Sequence, residues 1–448
     1  MADPSVTRPG TDSGSRRSAI ALGATVLLVA LAMAVPAVTG WQVHVEAFPP
    51  LRAYWGPRLG PGTVPALLIA GLGGWRAVRY AEVLPWRRLL GVMWVVGVVW
   101  MLSLAYVDGR SGVARVLADH NEYLPTARAT TNLPHTLSIY ISRIPIDSPH
   151  HWPVHIAGHP PGALTFFVVL VRLGLGSGFA AGLVVTLLAA TTALAAMITV
   201  RLLGAEDLAR RAAPFLVLGP FAIWQCVSAD AMFAAFVAWG MAAMALAATR
   251  RAAWAAVIWG LVGGLLLGYT AFLSYGLPLV AVLALTILAL TRSWRPLVPA
   301  IVGAVTVLLV YAAFGFRLWD AYGPLHDRYW IGVAHVRPNG YFLWADLAAL
   351  ALSAGLMIGP SIAAAAASLR VPDPHVRVVA GLGCAAVAMV LLADASLMSK
   401  AEVERIWLPF VPWLLLGTAL LPDRWRRHGL WLQIVIALVI QHLLRTIW

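Results

Sequence analysis

Between residues 108 and 162 the chain gathers side chains that can move protons and hold anions. Asp108, Asp119, Glu122 and Asp147 lie there with six of the twelve histidines. A carboxylate in such a loop can act as general base toward a hydroxyl, or hold a divalent cation (Mg or Mn) against a phosphate. Glu122 and Asp119 are the acids that would do either, and a solvated loop acid is the plain alternative. Arg110, Arg115, Arg128 and Arg143 share the segment, and guanidinium forks pair with phosphate oxygens. Together these groups suit an anionic, lipid-linked substrate.

His151, His155 and His159 are spaced by four, which on a helix would stack three imidazoles as a zinc site requires. Pro153, Gly158, Pro160 and Pro161 interrupt that helix, so the spacing loses its meaning. Gly158-His159-Pro160-Pro161-Gly162 reads instead as the start of a helix. Prolines suit a first turn, and free N–H groups there favour an anion that His159 can also reach. Further on, Trp319, Tyr322, Tyr329 and Trp330 alternate with Asp320, Asp327 and Arg328. Aromatic faces pack against the C–H side of sugar rings, so this loop reads as a sugar cleft or as an interfacial aromatic belt.

The elements that must position these groups are set by composition. With 60% hydrophobic residues, 11% charged residues and a mean hydropathy of +0.81, the chain lies outside the range of soluble domains. An all-α bundle in a bilayer follows, because a helix satisfies its own backbone where no water is present. Apolar runs near 19–40, 62–75, 88–107, 179–200, 212–227, 231–249, 253–272, 276–291, 297–316, 343–369, 377–394, 406–421 and 430–447 predict about thirteen spans. The first run is too long for the core of a signal peptide and reads as a retained span behind a disordered tail, 1–17. Cys226 and Cys384 fall in or beside apolar runs and read as small buried side chains, not a disulfide.

Arginines near span ends sort to one side, from Arg16 and Arg17 through Arg210, Arg211, Arg250 and Arg251 to Arg424, Arg426 and Arg427, which predicts that side as cytoplasmic. The scheme requires that 163–175 not cross, so that segment reads as a juxtamembrane helix. Twelve of the nineteen acids then fall on the other face, among them Glu46, Asp230, Asp346, Asp394, Glu402 and Glu404. Either one outward site is assembled from several loops, or acids are merely excluded from the basic face. The net charge of +13 is explained by such arginines and anionic headgroups, and implies no nucleic acid.

An acidic loop after a span, His159-Pro160-Pro161-Gly162 opening an apolar helix, and Ser228-Ala229-Asp230 opening a later outer loop together resemble the GT-C glycosyltransferases. Glu402-Val403-Glu404-Arg405-Ile406-Trp407-Leu408-Pro409 looks like the late Arg-Tyr-x-x-Pro element of these multi-pass enzymes, with Trp407 in place of tyrosine. The group includes protein mannosyltransferases and aminoarabinose transferases, and the likeness covers roughly 88–415. It implies that a first-loop acid is the catalytic base: Glu122 first, because Tyr123-Leu124 follows it, with Asp119 and Asp108 behind. The family's usual Asp-Glu or lone Glu is here split by His120 and Asn121.

By the same resemblance, His159, Arg405, Glu402, Glu404, Asp230, Tyr123, His155 and Arg128 become candidates for binding a polyprenyl-phosphate sugar, mannose or arabinose. Trp319 and Tyr329 become candidates for the acceptor, a glycan, glycolipid or protein taken up by loops 41–61 and 317–342. The implied division is a tail (1–17), a hairpin (18–87), a catalytic module (88–421) and a last turn and span (422–448) in the plasma membrane. Two other classes stay open. A flippase of a lipid-linked precursor would place ionisable groups at the midplane or use broken helices, and neither is evident in the sequence. A non-catalytic envelope-assembly subunit is the third.

Overall fold

The computed structural model of the chain describes residues 11–447. It is mostly helical, 73%, with almost no strand. Six helices are long and apolar enough to cross a membrane: Ser13–Thr39, Trp86–Asp108, Gly178–Leu202, Ala229–Thr249, Ala253–Thr270 and Pro374–Ala395. Two pairs qualify only when joined, Leu297–Ala313 with Leu318–Ile331 and Asn339–Ala354 with Ile358–Ser368, and these bend by 73° and 102°. These are the helices of a membrane protein, and among the described residues they number six, or up to eight if each bent pair is one span.

The expected thirteen therefore separates into spans and lesser elements, for physical reasons. Leu277–Thr291 and Val411–Leu420 are apolar but short, and at ~1.5 Å per residue neither reaches across ~30 Å of hydrocarbon. Thr63–Val83 carries Arg76 and Arg79, Asp423–Leu443 carries Asp423, Arg424, Arg426 and Arg427, and Glu206–Val217 has only twelve residues, four of them charged. Gly162–Arg172, the expected juxtamembrane helix, is also too short to span, with eleven residues. Its Ala163, Leu164, Phe167 and Val168 are buried. Of the expected tail, residues 1–10 lie outside the described residues. From Thr11 onward the chain is already helical, a correction for residues 11–17.

Both bends sit at glycines in the left-handed region, Gly315 (φ +94°) and Gly355 (φ +93°), where a Cβ is strained. A helix broken inside an apolar bundle exposes carbonyls at one end and N–H groups at the other. At Gly355 a single buried side chain answers both. Gln433, from the last long helix, donates Nε2–H to the Ala354 carbonyl (2.8 Å) and accepts from the Met357 N–H at Oε1 (3.3 Å). The broken helix and the chain's last helix are thereby locked together.

The two ends of the bundle differ in charge. At one end Arg210 pairs with Glu206 and reaches the Leu84 carbonyl, while Arg426 bridges Glu82 and Asp423. At the other end Ala53–Trp55 pairs antiparallel with Leu444–Thr446, Tyr54 opposite Arg445. Asp108 there takes Arg58 (2.6 Å) and Gln441 (3.1 Å). Arg445 thus lies with the acid-rich loops.

Replacing Gln433 by Leu leaves the Ala354 and Met357 groups buried and unpaired. The expected cost is roughly 1–3 kcal/mol, read as a lower thermal midpoint of the purified protein in detergent. Gly355→Ala is expected to cost more, because its Cβ would fall 1.9 Å from Gln433 Oε1 on top of the φ strain.

Candidate functional site

At the acid-rich end, five segments far apart in sequence meet in one charge network. Glu122 flanks the short helix Tyr123–Ala129. Its backbone is anchored by its neighbour Tyr123, which is buried and stacks on Phe167 with ring centroids 5.6 Å apart. His155 comes from Val154–Gly158. Asp230 sits in the first turn of Ala229–Thr249, and Arg405 in the short helix Val403–Ile406 that Glu402 precedes. Arg52 and Glu46 come from the segment between the first two helices.

The contacts run as a chain. Glu122 Oε1 lies 2.7 Å from His155 Nδ1, and His155 Nε2 lies 3.2 Å from Arg405 Nη2. Arg405 donates to Asp230 (2.7 Å) and to Glu402 (2.8 Å). Arg52 donates to Glu402 (2.5 Å) and to Glu46 (2.6 Å). A guanidinium has only donors, so His155 Nε2 must accept from Arg405. The ring proton then sits on Nδ1 and is donated to Glu122. That assignment follows from the donor inventory and fixes the imidazole's tautomer.

Glu122 is 4% exposed, and its second oxygen, Oε2, has no hydrogen-bond partner among the described residues. The Ser228 hydroxyl, two residues before Asp230, is likewise buried and unpartnered among them. A carboxylate with one oxygen fixed and the other open is an acceptor waiting for a donor. Burial alone would raise the Glu402 pKa, but the Arg405 and Arg52 guanidinium groups outweigh it and hold the group at about 2. For Arg405, burial would favour loss of the proton. The Asp230, Glu402 and Glu122 carboxylates more than offset that and keep it charged.

His159, the other histidine expected to reach the donor, lies behind His155. It is enclosed between Tyr123 (5.9 Å between centroids) and Phe233 (6.0 Å), with Nδ1 2.8 Å from the His155 carbonyl. Desolvation lowers its pKa, so the ring packs as a neutral group behind His155.

Of the residues singled out in the sequence, Glu122, His155, Asp230, Glu402 and Arg405 are brought together, with Tyr123 and His159 packed behind them. Others are elsewhere. Asp108 is clamped by Arg58 and Gln441, and Asp119 is exposed and turned to Asn121 and His120. Arg128 donates to the Gly176 carbonyl. Trp319 is exposed. Tyr329 accepts from the Lys400 N–H and donates to the Leu397 carbonyl, supporting the loop that leads to Glu402. Glu404 is buried within electrostatic range of Asp346. Arg110 and Arg143 stack on Phe179 and Trp152. Among the described residues no group of three or more His, Cys, Asp or Glu could hold a metal ion. Glu122 Oε1 is engaged by His155, and Asp119 by Asn121.

Arg52 was not singled out in the sequence, and Glu46 only as one of the acids of the outer face. The available signal was an arginine six positions from an acid in the same outer segment, close enough for the two to pair. Comparison with family models, with curated proteins and with solved structures returns no match.

The depressed Glu402 pKa makes stability depend on pH. Its contribution is complete above the ordinary value of 4.5 and is lost as pH falls toward about 2. Wild type should exceed Glu402→Gln in thermal midpoint at pH 7, and the gap should close progressively below about pH 4.5. A gap that stays constant down to pH 2 would show that Glu402 is not held by its arginines.

Proposed function

We propose that the chain is a multi-pass glycosyltransferase of the plasma membrane. It transfers a sugar, mannose or arabinose, from a polyprenyl phosphate to a glycan, lipid or protein acceptor on the outer face. The observation that carries this reading is the open oxygen of Glu122, buried beside a histidine whose tautomer is set by Arg405. In the proposed step the acceptor oxygen forms a bond to the anomeric carbon from the face opposite the leaving group. The carbon–oxygen bond to the lipid phosphate breaks and its electron pair leaves with the phosphate. The acceptor's proton passes to Glu122. One displacement inverts the anomeric centre.

Arg405 serves the leaving phosphate electrostatically. In the resting protein it is held by Asp230 and Glu402, and Glu402 also bridges to Arg52. A carboxylate between two guanidinium groups occupies the kind of position a phosphate takes, so the donor phosphate competes with Glu402 for Arg52 and Arg405. The helix Leu318–Ile331, with Trp319 and Tyr322 exposed, offers aromatic faces to an acceptor sugar.

One observation favours a second reading. Broken helices are a device of transporters, and the bends of 73° and 102° supply two of them, which the sequence did not reveal. On that reading the protein moves a lipid-linked precursor without consuming it. The charged groups favour the enzyme: Asp346 hydrogen-bonds the Ala401 N–H of the site loop and Asp394 lies in the last turn of its helix.

Purified protein given a panel of polyprenyl-phosphate sugars should consume one of them, and Glu122→Gln should lower turnover by ~10²–10⁴ with the fold intact. Translocation across vesicles without consumption would establish the carrier instead. For sidedness, cysteines placed singly at Ser111 and Ser148, in a background lacking Cys384, should react with an impermeant thiol reagent in intact cells. Labelling only after lysis would reverse the orientation.

A further inference from the structure

Asp230 opens the helix Ala229–Thr249 at the carboxylate network, and its 21 residues carry the chain ~30 Å at ~1.5 Å per residue. At that far end lies a groove of about 640 Å³, lined by Arg250, Arg251, Trp254 and Trp259 among others. Arg250 and Arg251 are exposed. Neither makes an ion pair or a side-chain hydrogen bond among the described residues. Four arginines of this end have an acid beside them, Arg201 and Arg210 through Glu206 and Arg211 and Arg426 through Asp423, and the groove pair has none.

The groove also has an apolar continuation. Trp254 is 71% exposed, and Val257, Ile258 and Leu265 carry an exposed apolar strip down the same helix. Two unpaired cations beside indole rings, with hydrocarbon surface leading away from them, match one kind of molecule in layout. Indoles settle at the headgroup level of a bilayer, and basic side chains there attract anionic lipid.

We propose that this groove binds an anionic phospholipid, its phosphodiester between Arg250 and Arg251 and its acyl chains along Val257, Ile258 and Leu265. Charge complementarity selects the headgroup, and the apolar strip selects a lipid over a soluble phosphate. The site holds whatever the chemistry at the opposite end proves to be.

The test counts lipids retained on full-length protein by native mass spectrometry after partial delipidation, with phosphatidylglycerol against phosphatidylcholine. Wild type should retain phosphatidylglycerol in excess. Each of Arg250→Gln and Arg251→Gln should lower that excess roughly 5-fold, the equivalent of ~1 kcal/mol for a basic residue beside an anionic surface. The double variant should abolish it. Arg87→Gln/Arg88→Gln, an exposed pair outside the groove, should leave the excess intact. An equal loss in that control would show diffuse surface attraction and overturn the site, as would equal retention of the two lipids by wild type. Should the double variant fail to purify, the two exposed single variants decide on the same criterion.

Discussion

A buried guanidinium dictates the shape of the acid-rich end. The Arg405 side chain is 6% exposed and its partner Asp230 3%, and a charge so placed is tolerated only when opposite charges surround it. Removing one partner from such a pair costs ~3–5 kcal/mol, because the other is left buried and uncompensated. The partners come from the helix at Ala229, the loop at Glu402 and, through His155, the first large loop. None of these can move far without stranding Arg405. The same charge that would assist a reaction is therefore also what holds three segments in register.

The bundle meets a second constraint with neutral groups. Breaking a helix within an apolar interior strands backbone groups, and at Gly355 the remedy is Gln433, an amide with a donor and an acceptor. A charged side chain there would have needed its own counter-ion. The division of labour is consistent: neutral amides and hydroxyls mend the interior, as with Ser361 donating to the Leu414 carbonyl, while charges are confined to the two ends. The two ends then diverge. At one, carboxylates and guanidinium groups close on each other. At the other, some arginines remain without protein partners and face the surroundings.

Much of this was legible in the residues, and the rest was not for stated reasons. Glu122, His155, Asp230, Glu402 and Arg405 stand out because polar groups at the margins of apolar runs are costly and must be used. What joins them is hidden, since the Arg52–Glu402 contact spans 350 positions and no periodicity reports a partner that distant. Asp108 looked like its neighbours in sequence yet serves to clamp the last long helix through Gln441. Thirteen apolar runs are read in the sequence, and the described residues hold six helices long and apolar enough to cross, or up to eight if each bent pair is one span. Hydropathy continues unchanged through Gly355, so the 102° break leaves no mark except a glycine and, far away, a buried Gln433. A buried glutamine amid the apolar residues of the last long helix was the better clue.

The loop that delivers Glu402 shows how the network is held ready. Leu397, Ala401 and Glu402 all adopt positive φ, at +56°, +60° and +66°. For non-glycine residues this costs of order 1–3 kcal/mol each. Such a loop keeps its form only if its surroundings over-determine it, and they do. The Lys400 ammonium donates to the Ala334 and Arg337 carbonyls and lies over the Trp330 ring, while Ala401 N–H is taken by Asp346. Arg337 donates to the Lys400 carbonyl in return. Strain sustained by so many contacts positions one side chain, and that side chain lies between two guanidinium groups. The contacts that fix the loop are separate from the two ion pairs that Glu402 makes, so the backbone stays in place whether or not an anion competes for the two guanidinium groups.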